Sequence, residues 1–193
     1  MKTALKIGTF FVIFASVPAL SQSALPSLFD FTLGDRLRSK QDFIPSVSDR
    51  DYVLVSRMSK NKEYLLQTLK LTKKSQTIAS IGASSNHMPD GECDSQLSAI
   101  LAQLNRANIG FRQEVQNTGK IVRYTLSSNR EGCSYHVRGV PRMVGCVSYF
   151  AIYCSRDGQG GSTLFLEAGD TGLSELARQE AEQIALEGPN LIK

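Results

Sequence analysis

The chain has 193 residues, 41% of them hydrophobic, and a formal net charge of +4. That length allows one domain with a substantial core, so disulfides would supplement the fold rather than replace its core. Tryptophan is absent and no basic run is interleaved with aromatics, so nucleic acid is not an expected partner.

Lys2 and Lys6 precede an apolar run, Ile7–Val17, and small residues follow over Ala19–Ala24. This is the pattern of a secretory signal peptide covering residues 1–21, with cleavage after Ser21 or Ser23. The run is shorter than the roughly 20 residues that span a bilayer. No later stretch is apolar enough to serve, so no membrane span is expected in the mature chain. Residues 22–193 read as one α+β domain, and its expected location is periplasmic or secreted.

Leu28–Leu33 alternates loosely and ends at Gly34, which predicts a strand, and Asp35–Lys40 suits one helical turn. Residues 41–51, with Pro45, read as loop. Tyr52–Met58 is a predicted strand, and Ser59–Lys62 a turn. Glu63–Thr72 also fits a helical period through Leu65, Leu66 and Leu69. The shared parity of Leu65, Leu69 and Leu71, between two strands, favours a strand. Thr77–Ala83 alternates again, and residues 84–92 (SSNHMPDGE) read as a turn-rich loop. Asp94 is then the expected N-cap of a helix, with Leu97, Ile100, Leu101 and Leu104 at helical spacing and Gly110 at its stop.

Phe111–Val115 and Lys120–Leu126 flank an Asn117-Thr118-Gly119 turn and read as strands. The richest strand signal is Met143–Cys154. Both of its faces are largely apolar, which predicts cover on both sides. Asp157–Gly161 reads as a hairpin turn and Ser162–Glu167 as a strand. A last helix begins near Thr171, with Leu173, Leu176, Ala177, Ala181, Ile184 and Ala185 on one stripe. Both halves thus read as a β-meander followed by an amphipathic helix, although no residue-level repeat is visible.

Cys93, Cys133, Cys146 and Cys154 in an exported chain are expected to form two disulfides, with three connectivities. On one strand Cys146 and Cys154 would be roughly 26 Å apart, far beyond the about 7 Å a disulfide allows. A two-residue loop at Gly139-Val140 would place Cys133 opposite Cys146 in a pair where side chains approach closely, leaving Cys93 for Cys154. Pro141 fits that ladder poorly, and a four-residue loop would shift the register by two, so the other remaining connectivity stays open.

The chemistry-bearing residues are sparse. The two histidines are His87 and His136. His136 sits in a predicted strand, and His87 lies near Asp90, Glu92, Cys93 and Asp94 without a recognised ligand spacing. No G-x-S-x-G elbow is present, and oxidised cysteines are not nucleophiles. The glycine-rich Asp157–Gly161 lacks P-loop residues and joins two strands. Tyr135, Tyr149 and Tyr153 suit either an aromatic binding surface or ordinary packing with the hydroxyl at the rim. No catalytic, cofactor or metal residue is assigned.

The expected fold is an antiparallel sheet of about 7–9 strands with two amphipathic helices packed on it. The expected role is a binding or inhibitor-type module whose partner is another protein. The alternatives are a small secreted hydrolase using His87 and its neighbouring acids, and a structural component of an envelope assembly.

Overall fold

The computed structural model describes residues 25–39, 41–46, 49–59, 64–107, 111–137 and 140–187. The expected signal segment, Lys60–Lys62, Gly110 and Gly188-Pro189 lie outside the described residues. The chain enters as a small hairpin, β1 (Ser27–Leu28) against β2 (Phe31–Thr32). The single strand expected over Leu28–Leu33 is therefore broken. The chain reverses at Phe29-Asp30, where Phe29 has a φ of 58°, and reversal buries both Leu28 and Leu33. The helical turn expected from Asp35 does not form either. Gly34 and Leu37 donate their N–H groups to the carbonyls of Ile78 and Gln76 at 2.9 and 3.2 Å, so this backbone is engaged by a neighbouring strand. Pro45, expected in a loop, belongs to a two-residue strand, β3 (Ile44–Pro45). It lies at one edge of the main sheet, where a residue without an N–H is tolerated.

Next, β4 (Tyr52–Met58), β5 (Tyr64–Thr72) and β6 (Ile78–Pro89) form an antiparallel meander. The loop expected at 84–92 is instead the second half of β6. Its polar residues stay in the ladder because they have partners there. At a register shift between Thr163 and Phe165, the hydroxyl of buried Ser85 accepts the N–H of Leu164 at 3.0 Å. The helix α1 (Asp90–Ala107) consequently starts at Asp90, not Asp94. Asp90 and Glu92 occupy its first turn, where negative charge suits the helix dipole, while Asp94 pairs with Arg156 at 3.0 Å.

The second half is β7 (Arg112–Asn117), β8 (Ile121–His136), β9 (Met143–Arg156), β10 (Gly161–Asp170) and α2 (Thr171–Glu187). The eight-stranded sheet has the order β3-β4-β5-β6-β10-β9-β8-β7. That order is a palindrome: each half contributes four sequential strands and then a helix, and the halves meet where β10 pairs antiparallel with β6. Two meander-plus-helix units give this arrangement.

The core lies on one face of the sheet. Ile81, Leu69, Ile152, Leu164 and Leu166 are at most 1% exposed. They share that face by register, since Leu69 opposes Ile81 and Leu166 opposes Ile152. Leu97, Ile100 and Leu104 of α1 and Leu173 of α2 join the same apolar cluster. Midway along α2, buried Glu180 accepts the N–H groups of Lys74 and Ser75 at 2.6 and 3.0 Å, which ties the helix to the β5–β6 turn. No helix among the described residues is long and apolar enough to cross a membrane.

The disulfides are Cys93–Cys154 and Cys133–Cys146. The first joins the opening turn of α1 to β9. The second crosses the distal arm of the β8–β9 hairpin, where Ser134, Tyr135 and His136 oppose Gly145, Val144 and Met143. Counting one step inward from Ser134–Gly145 puts Cys133 opposite Cys146, which is the register that a two-residue loop at Gly139-Val140 implies. Arg138 and Gly139 themselves lie outside the described residues. Two disulfides suit an oxidising, extracellular-type environment.

Candidate functional site: an uncovered trough on the sheet

The double-sided cover expected for β9 is not found. Ile152 and Cys154 face the helices, whereas Tyr149 and Tyr153 face away from them, onto the side of the sheet that neither helix covers. On that side three rows of side chains cross the central strands. One runs Thr68, Gly82, Glu167, Ala151, Thr125, and the next runs Leu66, Ser84, Phe165, Tyr153, Arg123. The third runs Lys70, Ser80, Gly169, Tyr149, Ser127. Small residues therefore floor the middle and larger ones stand around them. The result is a trough of about 230 Å³ between Leu66, Lys70, Tyr153, Phe165 and Glu167.

The walls are set by cross-strand pairing. Tyr153 and Phe165 are directly opposite, and their rings stack with centroids 4.9 Å apart and planes at 12°. The Arg123 guanidinium lies 5.5 Å from the centroid of the Tyr153 ring, and Lys70 Nζ lies 5.8 Å from that of Tyr52. Cations held over aromatic faces this way keep a preferred position at little solvation cost. Tyr149 lies across Gly169. A Cβ built on Gly169 would come within 2.4 Å of the Tyr149 hydroxyl, so glycine is required for this close approach.

Glu167 occupies the centre, with its side chain 23% exposed. It accepts hydrogen bonds from Tyr149 Oη and Ser80 Oγ, both at 3.3 Å. Lys70 Nζ is 3.9 Å from one carboxylate oxygen and Arg123 Nη2 is 3.7 Å from the other. Those separations give attraction without close hydrogen bonds, so both cations retain donors for something else. Burial, and then the Glu167 charge, push the Tyr149 phenol well above the usual tyrosine range. Burial followed by Glu167 also raises Tyr153, against the opposing effect of Arg123.

A phenol whose pKa is raised by folding stabilises the native state fully below its unfolded value of about 10, and progressively less above it. Wild-type protein is thus expected to lose urea resistance between about pH 10 and pH 12 more steeply than Tyr149→Phe. Parallel losses in the two proteins would show that the Tyr149 environment is not as described.

The residues singled out in the sequence are dispersed. Tyr135 lies on the distal hairpin arm opposite Val144, and His136 beside it opposes Met143. His87 is exposed, and its Nε2 is 3.3 Å from Asp157 Oδ2. The Asp157 carboxyl is held below its usual range by the Gln159 and Gly161 amides first, and by His87 less. The acids near His87 in sequence turn elsewhere: Asp90 accepts the Ser162 hydroxyl, Glu92 takes Gln96, and Asp94 takes Arg156. Among the described residues no three His, Cys, Asp or Glu side chains converge as a metal site. Glu167, Lys70, Arg123 and Gly82 were not singled out by the sequence, because only long-range register assembles them. No family model matches the chain, and no curated protein sequence matches it either.

Proposed function

We propose that this protein is an exported binding domain that holds another protein against the uncovered face of its sheet. The observation that carries this reading is the trough around Glu167, where stacked rings and two underused cations stand on a face that neither α1 nor α2 covers. Interface hot spots have this character, with aromatic and Arg side chains around a depression that a partner side chain fills. The two disulfides suit a periplasmic or extracellular setting, and the Ile7–Val17 run with its flanking residues is read as the export signal.

Placing a photo-crosslinking residue at Phe165 tests the reading in the intact protein within its native compartment. A discrete adduct from Phe165, with none from the same residue at Leu186 on the exposed side of α2, is the expected result. An adduct at Leu186 alone would move the binding surface to the helix. Export is checked on the same material, because N-terminal sequencing should begin at Gln22 or Ala24. A retained Met1 would contradict it.

A further inference from the structure

Gly82, on the floor of the trough, has open space where a side chain would begin. A Cβ added there would meet only the Thr68 carbonyl oxygen at 3.7 Å and the Leu166 carbonyl oxygen at 3.9 Å, which is ordinary contact. Gly169, on the same face, differs because a Tyr149 ring occupies the space above it. Glycine in a strand interior weakens the strand, and one use of such a glycine is to let another molecule approach closely. The floor of the trough is therefore low and open at Gly82.

We infer that the occupant is an extended acidic segment of the partner protein, with one apolar side chain seated over Gly82 and carboxylates two positions to either side of it, on the same face of the segment, paired with Lys70 and Arg123. This rests on the uncovered face being the binding face, and three features of the trough specify the segment. Its volume, about 230 Å³, is below the roughly 300–1,000 Å³ of drug-sized ligand pockets, which suits a single side chain. Its walls, Leu66 and the Tyr153–Phe165 pair, are apolar or aromatic, so the seated group is apolar. Its charge is set by Lys70, which lines it from β5, by Glu167, and by Arg123, which reaches Glu167 from β8 on the other side of β10.

Charge complementarity then selects carboxylates flanking the apolar group. Neither cation is within hydrogen-bonding distance of Glu167, so each can donate to an incoming carboxylate without abandoning a bond it already makes. Glu167 lies between the two cations, one near each carboxylate oxygen, and Tyr149 and Ser80 in turn hold Glu167. A basic segment would meet repulsion at both ends of the trough.

Isotope-labelled protein is titrated with three capped pentapeptides, and the Gly82 and Phe165 amide resonances are followed. The peptides carry a central phenylalanine with glutamate at both ends, a central phenylalanine with lysine at both ends, and a central glycine with glutamate at both ends. Serine fills the positions between, so that the central and end side chains share one face. The first is expected to shift both resonances and to bind at least tenfold more tightly than either of the others. Lys70→Gln with Arg123→Gln should weaken it tenfold or more. Gly82→Val should abolish it, and a dispersed amide spectrum will show that this variant is folded. Equal binding of the lysine peptide, or undiminished binding to folded Gly82→Val, would overturn the acidic-segment proposal. A Phe165 adduct in the native compartment combined with equal binding of the charged peptides removes the acidic segment and leaves the binding face. Absence of any Phe165 adduct removes the face itself, and the proposal with it.

Discussion

Replacing Cys93 and Cys154 together by alanine is expected to lower the free energy of unfolding by about 4 kcal/mol, against about 3 kcal/mol for Cys133 and Cys146. The difference follows from the chain each bond closes, since the paired residues are 61 apart in the first and 13 apart in the second. The longer loop contains most of α1, all of β7 and β8, and β9 up to Cys154. Cutting it frees the second meander from the start of α1 in the unfolded ensemble. Position adds to this effect. Cys93 and Cys154 are fully buried in the cluster shared with Leu97 and Ile100, so truncation also leaves unfilled core volume. The shorter bond lies on the β8–β9 hairpin, with Cys146 also buried beside Gly172 at the start of α2, so its loss reaches that helix end as well. Urea unfolding of the two double variants measures both numbers. Equal losses would show that loop length does not govern the stabilisation here.

The elements legible in the sequence were those whose signals are local. The helical spacing of Leu97, Ile100, Leu101 and Leu104 and the stripe through Leu173 and Ala177 each marked a helix. The Asn117-Thr118-Gly119 turn was equally local: Gly119 has a φ of 80° and its N–H is held by Asn117 Oδ1 at 2.9 Å. Even the Cys133–Cys146 register could be counted outward from a turn.

The errors arose where distant partners decide. Ser84–His87 look like loop residues until the Leu164 N–H reaches the Ser85 hydroxyl from β10. Phe29 carries no sequence mark of its left-handed backbone. Asp90 and Asp94 are both acceptable starts for α1, and the end of β6 selects the earlier one.

The trough was illegible for a related reason. Alternation shows that Tyr149 and Tyr153 share a face, but not whether that face is covered, and an aromatic residue serves a core or a binding surface equally well. Glu167 is one of 18 acidic residues. It becomes distinctive only when β5, β6, β8 and β9 bring Lys70, Ser80, Arg123 and Tyr149 to it. The proposed site is thus a product of the tertiary register, while the disulfides and helices that hold the fold were already visible in the linear chain.

Asp170→Ala should cost about 4 kcal/mol, because one buried carboxylate serves three elements at once. Asp170 is fully buried. Its Oδ1 caps α2 by accepting the Leu173 N–H at 3.1 Å, and its Oδ2 accepts the Ser148 hydroxyl at 2.7 Å. Arg130, with a side chain only 16% exposed, lies 3.5 Å from Oδ1. Truncation removes the cap, worth about 1 kcal/mol, and leaves Arg130 largely buried without its countercharge. Breaking such a pair from one side typically costs about 3–5 kcal/mol, and the residual exposure of Arg130 places the expected figure toward the lower end. Asp170→Asn keeps the shape and the cap acceptor, so it should recover roughly half of the loss.

These partners all lie on the helix side of β9 and β10, while Tyr149 and Glu167 point from the same strands to the other side. Asp170→Ala should therefore lower the urea midpoint strongly while the folded fraction still binds the glutamate–phenylalanine peptide. Phe165→Ala should do the reverse, losing the peptide with a small change in midpoint. If Asp170→Ala abolishes peptide binding in protein that is still folded, the two faces are coupled and the separation of fold from binding fails.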